Sequence, residues 1–308
     1  MVKTLRETIK STISSHLKKK IGKVYGQCLN AVDWIEGTVP SLKEKDGLVD
    51  LSMADVANGG IVVGAGLIEK PIYIIRFQGL NWFNAPIIIN YACKSKEIWK
   101  KPCPILIRSI GMEGSIGPVT GSSHHSIYFR MPGIKIISPM TPKEYKMSYK
   151  YFLKNKEVVY LSEHSKSYDN RKELSDKINK KTDLIIFAIS ITRFQATNVR
   201  DYFIKKNINI SVANIVWIKP FFIKKKWIET LKQSKYGGLL LDDDYVNGTA
   251  KSLAYELSYK SGKKVEVMGL EDRSAGFSRA TDNLSPNFER IKKEVYNIIK
   301  KNEFRFTK

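Results

Sequence analysis

Strands and helices alternate in the hydrophobic pattern of the first half of the chain. Leu5, Ile9 and Ile13 recur at helical spacing and predict a helix over residues 3–20. Short β-branched runs bounded by Pro or Gly then predict buried strands, with helices between them. The predicted strands are 22–26, 71–77, 104–108, 134–138 and 158–161, the later helices are 85–98 and 142–154, and residues 26–52 are a long loop. This alternation predicts βαβ units and a parallel sheet.

The second half repeats the alternation after a polar stretch that we interpret as a linker over residues 166–182. The predicted strands are 183–189, 210–216, 238–241 and 265–268, and the predicted helices are 193–206, 223–234, 248–261 and 287–301. The predicted fold class is therefore α/β, with two domains over residues 1–165 and 183–308. Each domain is expected to be a largely parallel sheet flanked by helices.

Charge and composition narrow the classes of function. The 308 residues carry 52 Lys and Arg against 30 Asp and Glu, a net charge of +22 that attracts polyanions. Lys is spread along the chain and no zinc-finger spacing or RGG tract occurs, so we expect no nucleic-acid partner. No apolar run reaches the roughly 18–20 residues of a membrane span, so none is expected. Three cysteines without a paired spacing indicate reduced thiols and a cytoplasmic location.

Two adjacent histidines are the first candidates for chemistry. The chain has four histidines, and His124 and His125 lie together in a Gly- and Ser-rich loop over residues 111–126, directly after a predicted strand. Loops at the carboxyl ends of parallel strands line the ligand crevice, and a histidine there can move protons. The alternative is a pair that only hydrogen-bonds a turn. His16 and His164 are predicted to be structural.

Acidic residues at the ends of predicted elements are the second group of candidates. Asp55 precedes a segment of small residues, and by itself a carboxylate at a helix start indicates a cap. Residues 242–244, three consecutive aspartates, follow the strand at 238–241. Solvated charge is favoured there over an Mg²⁺ site. The chain lacks the dinucleotide, P-loop, zinc-protease and nucleophile-elbow motifs, so these patterns alone indicate only a two-domain α/β protein.

The order of several segments resembles a known family. Asp55 is followed by Gly60 and Gly64, an acid with glycines five and nine positions later, and residues 132–139 read PGIKIISP. Together the segments resemble the β subunits of thiamine-diphosphate-dependent 2-oxo acid dehydrogenases and, more distantly, the C-terminal half of transketolase and deoxyxylulose-phosphate synthase. The matching segments are 55–64, 77–94, 132–139, 218–220, 241–244 and 269–275.

The resemblance implies a role for Asp55 that replaces the cap interpretation. In the family, residues 1–165 would bind the aminopyrimidine ring of thiamine diphosphate, and residues 183–308 would form a transketolase C-terminal-type domain. The family's acid hydrogen-bonds N1′ of the ring and so activates the cofactor. It is normally Glu, whereas Asp is one methylene shorter. The ring-facing position holds Leu80, with Phe77 and Trp82 as possible replacements in the cofactor pocket.

The resemblance also implies residues on the substrate side. His124 and His125 would handle protons or a substrate oxyanion, and which of the two acts stays open. The His-Ser order of His125 and Ser126 is similar to the dehydrogenase subunits and adds Ser126 to this group. Arg108, at a strand end before the loop, is a candidate for binding a carboxylate or phosphate, with a structural ion pair as the alternative.

A missing motif implies a partner. The family holds the cofactor's diphosphate and Mg²⁺ with a Gly-Asp-Gly…Asn motif, which this sequence lacks. The resemblance therefore implies an α-type subunit that carries this motif, in an α₂β₂ assembly, and no metal ligand is assigned to this chain. The substrate would be a small ketone or 2-oxo acid, with decarboxylation and two-carbon transfer both open. The alternative is a non-catalytic binding or regulatory protein that retains the fold.

Overall fold

The computed structural model describes residues 2–113, 117 and 121–306. In chain order the strands β1–β11 are Val24–Gln27, Leu48–Leu51, Ile72–Ile75, Leu106–Gly111, Ile134–Ile137, Val158–His164, Leu184–Ile189, Ile210–Ile215, Trp217–Lys219, Gly238–Tyr245 and Val265–Leu270. The helices α1–α11 are Leu5–Lys18, Ala31–Gly37, Asp55–Gly66, Asn81–Asn90, Ala92–Ile98, Ser126–Phe129, Pro142–Lys154, Thr192–Ile204, Lys225–Gln233, Thr249–Ser261 and Phe288–Phe306. The strands form two sheets.

The larger sheet has the strand order β2-β1-β3-β4-β6-β5-β9 and is parallel except at one edge. Its central strands are buried on both faces because helices cover both sides, as in other parallel sheets. All of the residues in β3, β4 and β6 are buried. The carboxyl ends of β1, β3 and β4 meet at one edge, which places the loops that follow them close together.

The smaller sheet has the order β11-β10-β7-β8 and is parallel throughout. The predicted α/β fold with two helix-flanked sheets is confirmed. The short strand β9 comes from the second half of the chain but pairs antiparallel with β5 of the larger sheet. Lys177, in the predicted linker, forms an antiparallel bridge with Val212 of β8. The boundaries at residues 165 and 183 stay a prediction.

Two element predictions need correction. Residues 26–52 are not one loop, because they contain α2, the 3-10 helix Glu44–Asp46 and β2. The sequence Leu-Val-Asp-Leu of β2 is short and only partly buried at the sheet edge, so it lacks a clear hydrophobic run. The helix predicted at 85–98 begins at Asn81 and is interrupted at Tyr91. Other boundaries shift by a few residues.

Residues 242–244 lie inside β10, so the interpretation as solvated charge is wrong. The strand continues to Tyr245, and Asp242, Asp243 and Asp244 are at most 1% exposed. They are buried because polar partners from segments far away in the sequence face them, which the local pattern does not show. No helix in the described part of the chain has both the length and the apolar character needed to cross a membrane.

The backbone packs closely around Gly133, directly before β5. Its φ of +78° is in the left-handed region, and a Cβ there would lie 1.9 Å from the carbonyl oxygen of Cys93. Gly262 has a similar φ of +70° but open space around it. We expect Gly262→Ala to cost about 1–2 kcal/mol, the conformational penalty alone. Gly133→Ala is expected to cost clearly more, measured by urea unfolding, and equal costs would contradict the packing.

Candidate functional site

Asp55 is the first residue of α3, which begins at the edge of the larger sheet where the parallel strands end. Ala54, not Asp55, is the N-cap residue, and no side-chain hydrogen bond caps the helix. Within the described residues, the half-buried Asp55 carboxylate has no hydrogen bond or ion pair. Its place in the first turn is favourable for a negative charge, because the helix dipole and free N–H groups lie there. The carboxylate is therefore available to a ligand.

Asp55 lines a small, mostly apolar cleft of about 170 Å³, which we call the Asp55 cleft. Tyr73 from β3 lies beside the acid, and burial together with the Asp55 charge raises its pKa, so the phenol stays protonated. Phe77 and Leu80 supply apolar surface from the segment after β3. The remaining lining residues are Gln27, Cys28, Met53, Ile74, Ile75 and Arg76. A flat heteroaromatic ring that offers a nitrogen to a carboxylate suits such a surface.

Gln78 joins the segment that carries Phe77 and Leu80 to the histidine loop. Its buried side-chain oxygen accepts a hydrogen bond from the backbone N–H of His124 at 2.7 Å. The amide nitrogen of Gln78 donates to Ser162 Oγ at 3.0 Å and to the carbonyls of Ser109 and Glu163 at 3.2 Å. One side chain therefore connects the 3-10 helix Gln78–Leu80, strands β4 and β6 and the loop that contains His124.

His124 lines a larger groove of about 770 Å³ between α4, α6 and the start of α10, which we call the His124 groove. Its ring meets Trp82 and Tyr245 with centroid distances of 6.2 and 5.7 Å. Burial lowers the pKa of His124 despite the nearby Asp244 carboxylate, so the imidazole is neutral at pH 7. Ser126 also lines the groove. A neutral imidazole at a groove wall can accept or donate a proton.

His125 points away from the groove into a fully buried cluster. Its Nε2 lies 3.2 Å from both carboxylate oxygens of Asp242 and 3.8 Å from Asp244. Burial alone lowers the pKa of His125, but the negative charges of Asp242 and Asp244 outweigh burial and raise the pKa to about 10. Burial and the neighbouring Asp242 raise the pKa of Asp243 to about 7. Of the two histidines, only His124 therefore faces a space that a substrate can enter.

Arg108 forms the structural ion pair that the sequence left open. Its guanidinium makes two hydrogen bonds to Glu163 at 2.7 and 2.8 Å, and both side chains are buried. Nη2 also donates to Thr38 Oγ1 at 3.2 Å, and Tyr168 donates to the same carboxylate. Arg108 lines neither the cleft nor the groove. The role suggested for it in substrate binding is not supported, because its charge is already paired.

Comparisons with known proteins agree with this architecture. The 2-oxoisovalerate dehydrogenase subunit beta of Bacillus subtilis (strain 168) is 29% identical to the chain over 135 residues. That match covers 40% of this chain and 39% of the subunit, well under half of the relative's length. A solved structure described as "Split gene transketolase, inactive beta4 tetramer" has a TM-score of 0.71 and 14% identity, over 97% of this chain and 99% of that one. No family model matches the chain.

The chain has the fold of a transketolase-type β chain. The resemblance to the β subunits of 2-oxo acid dehydrogenases and to the C-terminal half of transketolase is confirmed. Within this fold six of the eight predicted site residues lie in two places, whereas His125 and Arg108 lie in neither. Those in the Asp55 cleft are Asp55, Phe77 and Leu80, and those in the His124 groove are Trp82, His124 and Ser126. The roles of these residues stay predictions.

The sequence analysis did not identify several residues around the Asp55 cleft and the His124 groove. Gln78 lies in a segment that was noted for its aromatic residues, and Tyr73 lies in a strand interpreted only as core. The predicted structural role of His16 fits its burial and its 2.9 Å contact with the Tyr149 hydroxyl. His164 is the buried last residue of β6, which also fits its predicted structural role. Residues 114–116 and 118–120 of the predicted histidine loop lie outside the described residues.

The ion pair of Arg108 predicts a stability effect. We expect Arg108→Met to destabilise the chain by about 3–5 kcal/mol, because Glu163 is left as an unpaired buried charge. Asp169→Asn, which removes an exposed pair with Arg6, is the control and should cost less than about 1 kcal/mol. Urea unfolding of both variants measures the difference. An Arg108→Met protein as stable as the control would contradict the buried pair.

Proposed function

We propose that the chain is a β-type subunit of a thiamine-diphosphate-dependent enzyme that makes or breaks a carbon–carbon bond next to a carbonyl. The supporting observation is the Asp55 carboxylate, which has no hydrogen bond or ion pair to any described residue, at the wall of a small apolar cleft. Residues 1–165 would then bind the cofactor's pyrimidine, and residues 183–308 would be the transketolase C-terminal-type domain. Such an enzyme would work in the cytoplasm, in keeping with three free cysteines.

The residues of the Asp55 cleft fit the aminopyrimidine ring. A protonated ring nitrogen needs an anionic acceptor, and Asp55 offers one in a cleft that the apolar Leu80 and Phe77 also line. When bound, thiamine diphosphate supplies a carbanion equivalent and an electron sink. Asp55 would hold a proton at the ring nitrogen, while Leu80, Phe77 and Met53 would exclude water and fix the ring plane.

The His124 groove is the proposed place for the substrate's carbonyl end. His124 would accept or donate a proton, because burial keeps it neutral and its ring is fixed by Trp82 and Tyr245. Ser126 offers a hydroxyl to a substrate oxygen at the same wall. We propose a small ketone or 2-oxo acid as substrate, and the net charge of +22 would attract an anionic one.

We infer that an α-type partner supplies the diphosphate and Mg²⁺ site, in an α₂β₂ assembly. The chain has no Gly-Asp-Gly…Asn motif, and the similar split-gene transketolase β chain is described as an inactive tetramer. The outer face of α3 suits such a partner. A Cβ added at Gly60 or Gly64 would meet nothing within 4 Å, and Val56 and Ile61 are about half exposed beside them. This apolar face, with two side-chain-free positions, permits close approach of another helix.

Asp55 provides the direct test of catalysis. The chain would be co-expressed with an α-type chain from the same genome, and exchange of the cofactor's C2 proton would be followed by NMR. We expect Asp55→Ala to lower the exchange rate by about 10²–10⁴-fold, because the positioned acid is lost, while thiamine-diphosphate affinity changes much less. Asp55→Glu should retain exchange, since it restores the family's usual acid. Asp272→Asn is an exposed control with no expected effect.

Two outcomes would count against the proposal. Wild-type complex that binds thiamine diphosphate but shows no exchange above background would favour a non-catalytic protein that retains the fold. Exchange that is equal in Asp55→Ala and wild type would show that another group activates the cofactor.

The face of α3 predicts a separate effect on assembly. We expect Gly64→Leu to leave the isolated chain folded, and to stabilise it slightly, because Leu is the better helix former and the position is open. The same change should prevent binding of the α-type chain, because the added side chain would collide with it. Size-exclusion chromatography with light scattering measures assembly, with Lys232→Leu on the exposed side of α9 as the control. A Gly64→Leu chain that assembles like the control would place the interface elsewhere.

A further inference from the structure

Three consecutive carboxylates of β10 lie in the interior of the protein. Asp242, Asp243 and Asp244 are at most 1% exposed. Within the described residues, His125 is the only basic side chain in ion-pair contact with any of them, and Asp243 has no ion pair. With a charged imidazole, three ionised acids would still leave an excess of two negative charges in the interior. Burying such charge without compensation is very unfavourable, so the cluster needs either a proton on one of the acids or a bound cation.

The hydrogen bonds among the described residues show which of the three acids has a carboxylate oxygen without a partner. Both oxygens of Asp244 are occupied, one by the backbone N–H of Ser126 at 2.8 Å and the other by that of Tyr245 at 2.6 Å. Asp243 accepts hydrogen bonds from Ser123 and Ser190 at 2.8 and 2.7 Å, but both go to Oδ2. Its Oδ1 is buried and has no hydrogen-bond partner among the described residues. A buried carboxylate oxygen in this state is an open acceptor.

The distances between the side-chain atoms of the cluster fit a set of metal ligands. His125, Asp242 and Asp243 each offer an atom, and these three atoms lie within 4.8 Å of one another. Metal–ligand distances near 2.0–2.2 Å place neighbouring ligand atoms about 3–4 Å apart, which agrees with the 3.2 Å between His125 Nε2 and Asp242. One nitrogen and two carboxylates form a mixed donor set that zinc and manganese accept.

The other side of the imidazole is arranged as in metal-binding histidines. His125 Nδ1 lies 3.2 Å from Ser162 Oγ, which is itself held by the Gln78 amide. With a hydrogen on Nδ1 donated to that hydroxyl, loss of the Nε2 proton to a metal would leave the Nε2 lone pair facing the acids. Metal ligands of this type usually have such an outer partner, which fixes the tautomer and the ring orientation.

We propose that His125, Asp242 and Asp243 bind one divalent cation of the zinc or manganese type. The cation would replace the proton on Nε2 and neutralise two of the three carboxylates. This site is separate from the Mg²⁺ expected in the α-type partner and does not depend on the proposed function. It would tie the loop that carries His124 and His125 to β10 of the smaller sheet. Occupancy would therefore fix the wall of the His124 groove, where Ser126 is already bound to Asp244.

The test uses the full chain without an affinity tag. The protein is stripped with a chelator, dialysed, incubated with Zn²⁺, Mn²⁺ or Mg²⁺, freed of excess metal, and its metal content is measured by mass spectrometry. We expect one equivalent of zinc or manganese per chain, little magnesium, and a higher unfolding temperature for the loaded protein.

Asp243→Asn is the decisive variant because it keeps the shape of the side chain. In the stripped state it should be at least as stable as wild type, since one repelling charge is removed. Its zinc affinity should fall because a direct ligand is lost. The fall should exceed the roughly 10–100-fold that removal of an outer partner causes. Asp272→Asn, an exposed change, should bind like wild type.

Retention of one equivalent by wild type and by Asp272→Asn, with loss in Asp243→Asn, supports the site. Wild-type protein that retains no zinc or manganese would overturn it and show that protons alone neutralise the cluster. Equal retention in Asp243→Asn and wild type would also overturn it, because the metal would then be bound elsewhere.

Discussion

The hydrogen bonds of Gln78 hold both halves of the candidate site in place. This one buried amide bonds to His124 of the loop and to carbonyl and hydroxyl groups of β4 and β6. It lies between Phe77 and Leu80, which line the Asp55 cleft, and it fixes the loop that forms the wall of the His124 groove. A buried amide with all of these partners resists movement, because each broken bond leaves an unsatisfied polar group in the interior. The relative position of cleft and groove therefore depends on this residue.

The parallel arrangement of the strands is enough to bring these groups to one edge of the larger sheet. In a parallel sheet all strands present their carboxyl ends to the same side, so the segments after β2, β3 and β4 meet there. Those segments begin α3 at Asp55, carry Phe77 and Leu80, and lead to His124. The open sides of the Asp55 cleft and of α3 face outward. In the isolated chain the proposed site is therefore open on one side.

The sequence predicts elements where the local pattern is strong. Strand β3 has a Pro boundary and a continuous β-branched run, and α7 has Thr141 as its cap with Pro142 in the first turn, so both were predicted. Strand β2 was missed because it is half-exposed and depends on pairing with β1. Asp55 was found only through the glycines that follow it, since an acid at a helix start otherwise indicates a cap.

Long-range partners explain the remaining misses. Consecutive aspartates are normally exposed, and nothing near Asp242 in the sequence shows that His125, 117 positions away, lies against it. Likewise, the buried Glu163 decides the role of Arg108.

The central claim is that Asp55 faces the pyrimidine ring of a bound cofactor, and a crystal structure of the assembled αβ complex with thiamine diphosphate tests it most directly. The account predicts an Asp55 carboxylate oxygen within hydrogen-bonding distance of N1′, whereas Asp55 turned away from the ring, or a ring bound outside the Asp55 cleft, would contradict it.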